Sequence, residues 1–410
     1  MRILQAHKFF YRRGGAEAVF LDTIAGLRER GHEVAEFSMQ HPKNLPSDYN
    51  GYFVSELPEL GKKQTWGEAF KVFSHLFYSS EVKRKLRALA LASESQVAHL
   101  HNVYHHLSAG TFTTLKKMGI PMVVTVHDVF PLCPNHRMLR PTGAVCEKCF
   151  NHRYYNCARY KCINNQRGAS LAGSLEAYFY YLRGLWQTVD LFFCPSEFML
   201  EKMAAWGFPR NKLCLLHNPY QVLPEVKPLG TKVVYLNRLH TEKGIRLFME
   251  AVKFLREYKV VVAGDGPDEG WVDDFIRQRS LTNVERLPRV SGPAWDKVVS
   301  EARVMVVPSW FYENCSLTIL EALSHGRLVV TTDRGGNREL IKTGATGWLT
   351  EPENPEALAE AIRSAMEVTS AVSDKIIENG RKLVRESYNP RDYFDKLEGF
   401  YQEVIGNHKK

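Results

Sequence analysis

Short apolar runs alternate with stretches of helical period along most of this chain. The runs Ile3–Ala6, His32–Phe37, His99–His101, Met122–Val126 and Leu191–Cys194 are separated by segments of helical period that include Ala16–Arg30, Ser108–Met118 and Glu197–Trp206. Strand-length runs alternating with helical segments predict parallel βαβ units, because parallel strands need a covering crossover to join them. After the spaced prolines Pro219, Pro224 and Pro228 the alternation restarts at Val233–Leu236, Ile245–Tyr258, Val260–Ala263, Val304–Val307, Leu317–His325 and Leu328–Thr331. The restart predicts two α/β domains, residues 1–220 and 221–389, with a linker near 219–231. A last apolar stripe of Tyr393, Phe394, Leu397, Phe400, Tyr401 and Val404 predicts a C-terminal helix within 390–410 that must dock, and its expected place is back on the first domain.

With 410 residues, 44% hydrophobic and 24% charged, the chain carries enough apolar material for two cores. The opening segment runs directly into a strand pattern with no secretory leader, and the longest apolar stretch, 171–195, is broken by Glu176, Arg183 and Asp190. The expectation is a cytoplasmic protein that meets a membrane only at its inner surface. A formal charge of +9 suits nucleic acid, an anionic lipid surface or a phosphorylated ligand equally and selects none. One stretch is more pointed: Lys71, Lys83, Arg84, Lys85 and Arg87 are interleaved with Phe70, Phe73, Leu76, Phe77, Leu86 and Leu89. A basic amphipathic face over 71–87 suits anionic headgroups, and equally suits a helix packing its apolar side on its own core.

The candidate chemistry sits where strands give way to helices. Gly14 and Gly15 end the first strand-to-helix loop, where a bare backbone and helix N–H groups can meet an anion; the same pair would serve simple chain reversal. In the second half, Asn237-Arg238-Leu239-His240-Thr241-Glu242-Lys243-Gly244 takes the equivalent position and sets two cations where they can converge on a diphosphate; taken alone, such cations are more often solvated surface charges. The most informative stretch runs from Pro308 through Glu313, Asn314, Ser316, Leu317 and Thr318 to Glu321. A carboxylate in the loop and a second about one turn into the helix that follows place one acid at a sugar and one at ribose, with the helix start toward phosphate.

These elements, with Val126-His127-Asp128, Gly264-Asp265-Gly266-Pro267, Gly335-Gly336, Glu339-Leu340 and Gly347-Trp348-Leu349, resemble glycosyltransferase family 4 over nearly the whole chain. The resemblance implies the GT-B α/β architecture, two Rossmann-like domains facing each other across a donor-binding cleft. It implies a retaining transfer of sugar from a UDP- or GDP-sugar to a saccharide or lipid-linked saccharide, in cell-envelope or exopolysaccharide synthesis. It places Arg238 and Lys243 on the diphosphate, Glu321 on the ribose, Glu313 on the sugar hydroxyls and His127 beside the reacting carbon. Gly14, Gly15, Gly264, Gly266, Asn314, Ser316, Leu317 and Thr318 complete the expected donor site. Asn237 departs from the pattern, which commonly has glycine there. No pair of aspartates has the D-x-D spacing of metal-dependent transferases, so transfer without a divalent cofactor is expected.

Cysteines form a separate feature. Cys133, Cys146, Cys149, Cys157 and Cys162 crowd an insertion over 133–165, and Cys146-x-x-Cys149 has knuckle spacing. A structural zinc completed by later cysteines stands against free thiols; the resembled family includes members with a similar insertion, and that resemblance implies Cys133, Cys146, Cys149 and Cys162 as the ligands, with Cys157 as substitute. Among other functions, an NAD-linked oxidoreductase fails on its glycine fingerprint, since Gly264-x-Gly266 is followed by Gly270. A non-catalytic sugar or nucleotide binder of the same fold remains the alternative, and no nucleic-acid-binding signature appears.

Overall fold

The computed structural model describes residues 1–57, 75–224 and 228–409. These divide into two compact units, Met1–Asn218 with Arg391–Lys410, and Pro219–Pro390.

The first unit is built on a six-stranded sheet of β1 (Arg2–His7), β2 (Glu33–Phe37), β3 (Val97–His101), β4 (Met122–Thr125), β5 (Leu191–Cys194) and β6 (Leu213–Leu215), in the order β2-β1-β3-β4-β5-β6. Every pairing is parallel. One face carries Ile3, Val97 and Val123 into a core shared with Phe20, Ile24 and Leu27 of the helix Gly15–Glu29. The C-terminal helix Pro390–Lys409 supplies Tyr393, Phe394, Leu397, Tyr401 and Val404 to that same core. Its approach depends on Gly26, where a Cβ would lie 2.0 Å from the Phe394 ring.

The second unit holds β7 (Lys232–Leu236), β8 (Val260–Ala263), β9 (Val284–Leu287), β10 (Ala302–Val307), β11 (Leu328–Thr332) and β12 (Trp348–Thr350), in the order β12-β11-β10-β7-β8-β9, again all parallel. This is a doubly wound order that reverses between β7 and β10. Its central strands are continuously apolar and rich in valine, with Val233, Val234, Val260, Val261, Val262, Val304 and Val306 buried, as strands covered on both faces require. The helix expected over Ile245–Tyr258 ends at Val252. Asn283 donates its side-chain amide to the carbonyls of Leu255 (3.0 Å) and Tyr258 (2.8 Å), which satisfies a turn in place of further helix and leaves Leu255 buried.

Candidate functional site

In an open parallel sheet, ligand groups gather beyond the strand C-termini where the winding reverses, because the two flanking loops diverge there. In the second unit those loops follow β7 and β10, the segments that carry Arg238, Lys243 and Glu313. Gly244 brings them together: its φ is +74°, and a Cβ there would lie 1.7 Å from the Pro308 carbonyl oxygen. The Trp310 N–H donates to the Glu242 carbonyl at 2.9 Å, tying the loops a second time. Lys243 then meets Glu313, Nζ to Oε1 at 2.7 Å, and the Ser309 hydroxyl donates to the same carboxylate oxygen at 2.6 Å. Lys243 also lies over the Phe311 ring, 4.7 Å from its centroid.

Glu313 is buried, so its charge is held by hydrogen bonds rather than by water. Its backbone is fixed too. The Gly336 N–H donates to its carbonyl at 2.8 Å, and Gly335, at φ +60°, leaves the space in which a Cβ would stand 2.1 Å from that oxygen. Arg238 is exposed. Its loop is pinned from below by the Tyr235 hydroxyl, which donates to the Arg238 carbonyl at 3.0 Å. Asn237, where the family pattern favours glycine, keeps negative φ, and its side-chain oxygen accepts from the Arg238 N–H at 2.8 Å.

Gly264 and Gly266 have a packing reason to be glycine: Cβ atoms there would meet the Asn237 and Leu239 carbonyls at 2.0 and 2.3 Å. The helix Leu317–Ser324 starts with Ser316 as its N-cap, which makes no side-chain capping bond. The N–H groups of Leu317 and Thr318 have no carbonyl one turn back, as at any helix start. Asn314 precedes them, half-buried. Glu321 lies one turn into this helix, and burial pushes its carboxyl up to about 7.

In the first unit Gly14 is the N-cap of the helix Gly15–Glu29, with extended backbone, and both glycines are exposed. His127 follows β4, half-buried, and burial pushes its imidazole down to about 4, so the ring is neutral near pH 7. Its Nε2 lies 2.8 Å from His101 Nδ1. Behind this pair stand buried Gln5, His99 and Tyr401; the sequence reading named Tyr401 only as part of an apolar stripe and did not single out Gln5, His99 or His101 as polar groups. The signal for the strand residues was present as polar positions spaced by two, Gln5 and His7 in β1 and His99 and His101 in β3. The same reading left out Ser309 and Tyr235, whose roles depend on which loops meet.

None of these five cysteines is in a disulfide: Cys133, Cys149 and Cys157 are buried, Cys146 and Cys162 are half-buried, and the Cys133 thiol donates to Asn135 Oδ1 at 3.1 Å. Among the described residues no group of three or more His, Cys, Asp or Glu side chains is arranged to hold a metal ion. In the basic stretch Lys71, Phe70 and Phe73 lie outside the described residues. The helix Ser80–Ala92 buries Leu86 and Leu89, Lys83 stands 4.2 Å from the Tyr78 ring centroid, Lys85 pairs with Glu81, and Arg84 and Arg87 are exposed. No helix among the described residues is long and apolar enough to cross a membrane.

Two parallel α/β sheets with a basic and acidic cluster at a switch point define the GT-B class, and comparison with known proteins agrees. The chain resembles HepE of Anabaena solved in complex with UDP, at 16% identity and a TM-score of 0.69 over 98% of this chain and 100% of that one. It resembles the sucrose-phosphate synthase of Thermosynechococcus elongatus at 16% identity and a TM-score of 0.73 over 99% of both. In sequence it is 29% identical to the alpha-D-kanosaminyltransferase of Streptomyces kanamyceticus over 42% of this chain and 45% of that protein. It is 24% identical to the putative colanic acid biosynthesis glycosyltransferase WcaL of Escherichia coli over 50% and 54%. The matches thus span about half the length of these curated relatives. Residues 226–383 match the glycosyl transferases group 1 family, and residues 13–222 match Glycosyltransferase Family 4. The chain belongs to glycosyltransferase family 4.

Proposed function

We propose that this protein is a retaining glycosyltransferase that moves a sugar from a UDP- or GDP-sugar to a saccharide or lipid-linked saccharide, in cell-envelope or exopolysaccharide synthesis. The observation that carries the reading is the Lys243–Glu313 pair at the switch point, with Glu321 one turn into the adjoining helix. Loss of the diphosphate puts negative charge on the leaving oxygen while the sugar becomes oxocarbenium-like, so positive charge must be in place beforehand. Lys243 has three N–H donors and gives one to Glu313, leaving two for phosphate oxygens. Arg238 supplies a second cation, and the N–H groups from Ser316 to Thr318 complete the anion site.

Magnitudes rank these groups. A cation ~4 Å from a phosphate at an effective dielectric of ~20 contributes on the order of 4 kcal/mol before desolvation, whereas a helix start contributes ~0.3–1 kcal/mol. Glu313 holds the sugar hydroxyls in this reading, Glu321 accepts from the ribose, and His127 hydrogen-bonds the sugar beside the reacting carbon. The leaving phosphate oxygen takes the acceptor proton on the same face, and no divalent metal takes part.

A thermal-shift screen with EDTA present, using UDP, GDP, ADP and their sugar conjugates, tests the reading. UDP comes first, because HepE was solved with UDP and with UDP-glucose. The expected result is stabilisation by one nucleoside diphosphate that weakens in Glu321→Ala. No response to any of them would overturn the proposal.

A further inference from the structure

The first sheet carries a file of polar side chains on the face that meets the C-terminal helix. In the parallel register of β1 with β3, Gln5 stands opposite His99 and His7 opposite His101, and His101 in turn stands opposite Thr125 of β4. Gln5, His99, His101 and Tyr401 are each fully buried. Water is not available to such groups, so each must find its partner in the protein, and one bond's direction dictates the next.

The directions can be followed atom by atom. Gln5 presents its carbonyl oxygen to His101 Nε2 at 3.1 Å. Its amide nitrogen donates to the Tyr401 hydroxyl at 3.1 Å and lies 3.4 Å from His99 Nδ1. The Tyr401 hydroxyl, having accepted from Gln5, donates to His99 Nδ1 at 2.6 Å, and His99 Nε2 donates to the Thr125 hydroxyl at 2.7 Å. His101 therefore carries its proton on Nε2, facing Gln5, which leaves Nδ1 bare. That bare nitrogen lies 2.8 Å from His127 Nε2, so His127 must donate from Nε2 and keep Nδ1 as an acceptor. The His99 and His101 ring centroids are 4.0 Å apart, a spacing that opposes charging both rings. Burial holds both rings well below the ordinary histidine range, consistent with a wholly neutral chain.

We infer that Tyr401, acting through Gln5 and His101, sets the tautomer of His127, so that the C-terminal helix positions the candidate sugar-binding histidine by hydrogen-bond polarity as well as by packing. Tyr401, Gln5 and His101 are positioning residues. The consequence for transfer rests on the role proposed above for His127; the tautomer itself does not. A bare Nδ1 accepts a hydrogen bond from a donor hydroxyl, whereas the opposite tautomer would offer that hydroxyl an N–H.

Two-bond nitrogen–proton spectra of the protein labelled with ¹⁵N-histidine test this without substrate, with His127 assigned by its loss in His127→Gln. In the wild type both His127 and His101 are expected as the Nε2–H form. Tyr401→Phe keeps the ring in the core but frees the Gln5 amide to turn, so His127 becomes a mixture of tautomers. Thr125→Val also deletes a buried hydroxyl, but on the His99 side of the network, and leaves His127 as Nε2–H. Turnover in Tyr401→Phe falls roughly fivefold with donor KM unchanged, the size expected from losing one hydrogen bond's bias.

An Nδ1–H form of His127 in the wild type overturns the inference, as does an unchanged His127 pattern in Tyr401→Phe. A tautomer shift in Thr125→Val equal to that in Tyr401→Phe would also overturn it, because any buried hydroxyl would then do. If the tautomer shifts as expected while turnover is unaltered, the chain from Tyr401 to His127 stands and the proposed role of His127 in transfer fails.

Discussion

The two sheets share architecture and differ in what they bury. In the second unit the central strands β7, β8 and β10 bury mainly valine, and the charged groups of the candidate site stand beyond the strand ends, on the loops and the helix that follow. In the first unit the polar groups lie within the strands: Gln5, His7, His99, His101 and Thr125 are all buried. An apolar sheet is stabilised by area removed from water, which is non-directional and tolerant of small shifts. A polar file is stabilised only when every donor meets an acceptor, so it is directional and intolerant of gaps. One sheet carries its charged groups on loops at its strand ends; in the inference drawn above, the other transmits hydrogen-bond direction from a docked helix to its own strand end.

The largest expected effect is on the loop side. Lys243→Ala should lower transfer by about 10²–10³-fold, the usual loss when one preorganised charge-stabilising group is removed. Steady-state rates with saturating donor check this, and a loss below tenfold would separate the loops from the chemistry. Next comes the polar file. Gln5→Leu leaves the His101 N–H buried without its acceptor and deprives Tyr401 of its donor, and should cost about 2–3 kcal/mol in urea unfolding. A neutral outcome would break the contrast between the sheets, since an apolar residue would then serve as well.

The third prediction concerns pH. Burial raises the Glu321 carboxyl from 4.5 to about 7. Its contribution to stability is therefore full below pH ~4.5 and is lost as pH rises through ~7, so the unliganded protein should lose up to about 2 kcal/mol between pH 5 and 8 through this group. Glu321→Gln should flatten that slope in unfolding curves. If the carboxylate accepts from ribose, lowering the pH from 8 to 6 should weaken nucleoside diphosphate binding in the wild type by several-fold more than in Glu321→Gln, as titration calorimetry would show. The smallest effect sharpens the comparison from the other direction. Val262→Thr puts a hydroxyl among buried valines and should cost about 1–2 kcal/mol, although the same residue type is at home at Thr125 and, in the second sheet itself, at Thr331 and Thr332, where the hydroxyls donate to carbonyls.

Much of this was legible before the structure. The strand and helix order, the two-part division of the pattern, and the family resemblance followed from periodicity and motifs, and the second unit's site residues were named as candidates. Lys243 and Glu313 are in contact, and nothing in their separation along the chain announces a 2.7 Å bond. That bond exists because β7 and β10 are neighbours and Gly244 lets their loops close. Gly264 and Gly266 were read as donor-facing, and the structure adds a backbone-packing reason for them. Knuckle spacing named Cys146 with Cys149, and the structure adds that Cys149 is buried while Cys146 is half-buried. Spacing along a segment with little regular structure does not say which turns meet.

The amino-acid sequence by itself determined the kinds of element, because apolar period is local, and it determined the chemistry available at each strand end, because residue type is local too. Only the tertiary structure decided which strand ends are adjacent and which donor faces which acceptor. Gln5 and Tyr401 meet at 3.1 Å from opposite ends of the chain, a pairing that follows from helix docking and sheet register together. Hydrogen-bond direction is a property of a closed network, and no part of that network exists until the chain has folded around it.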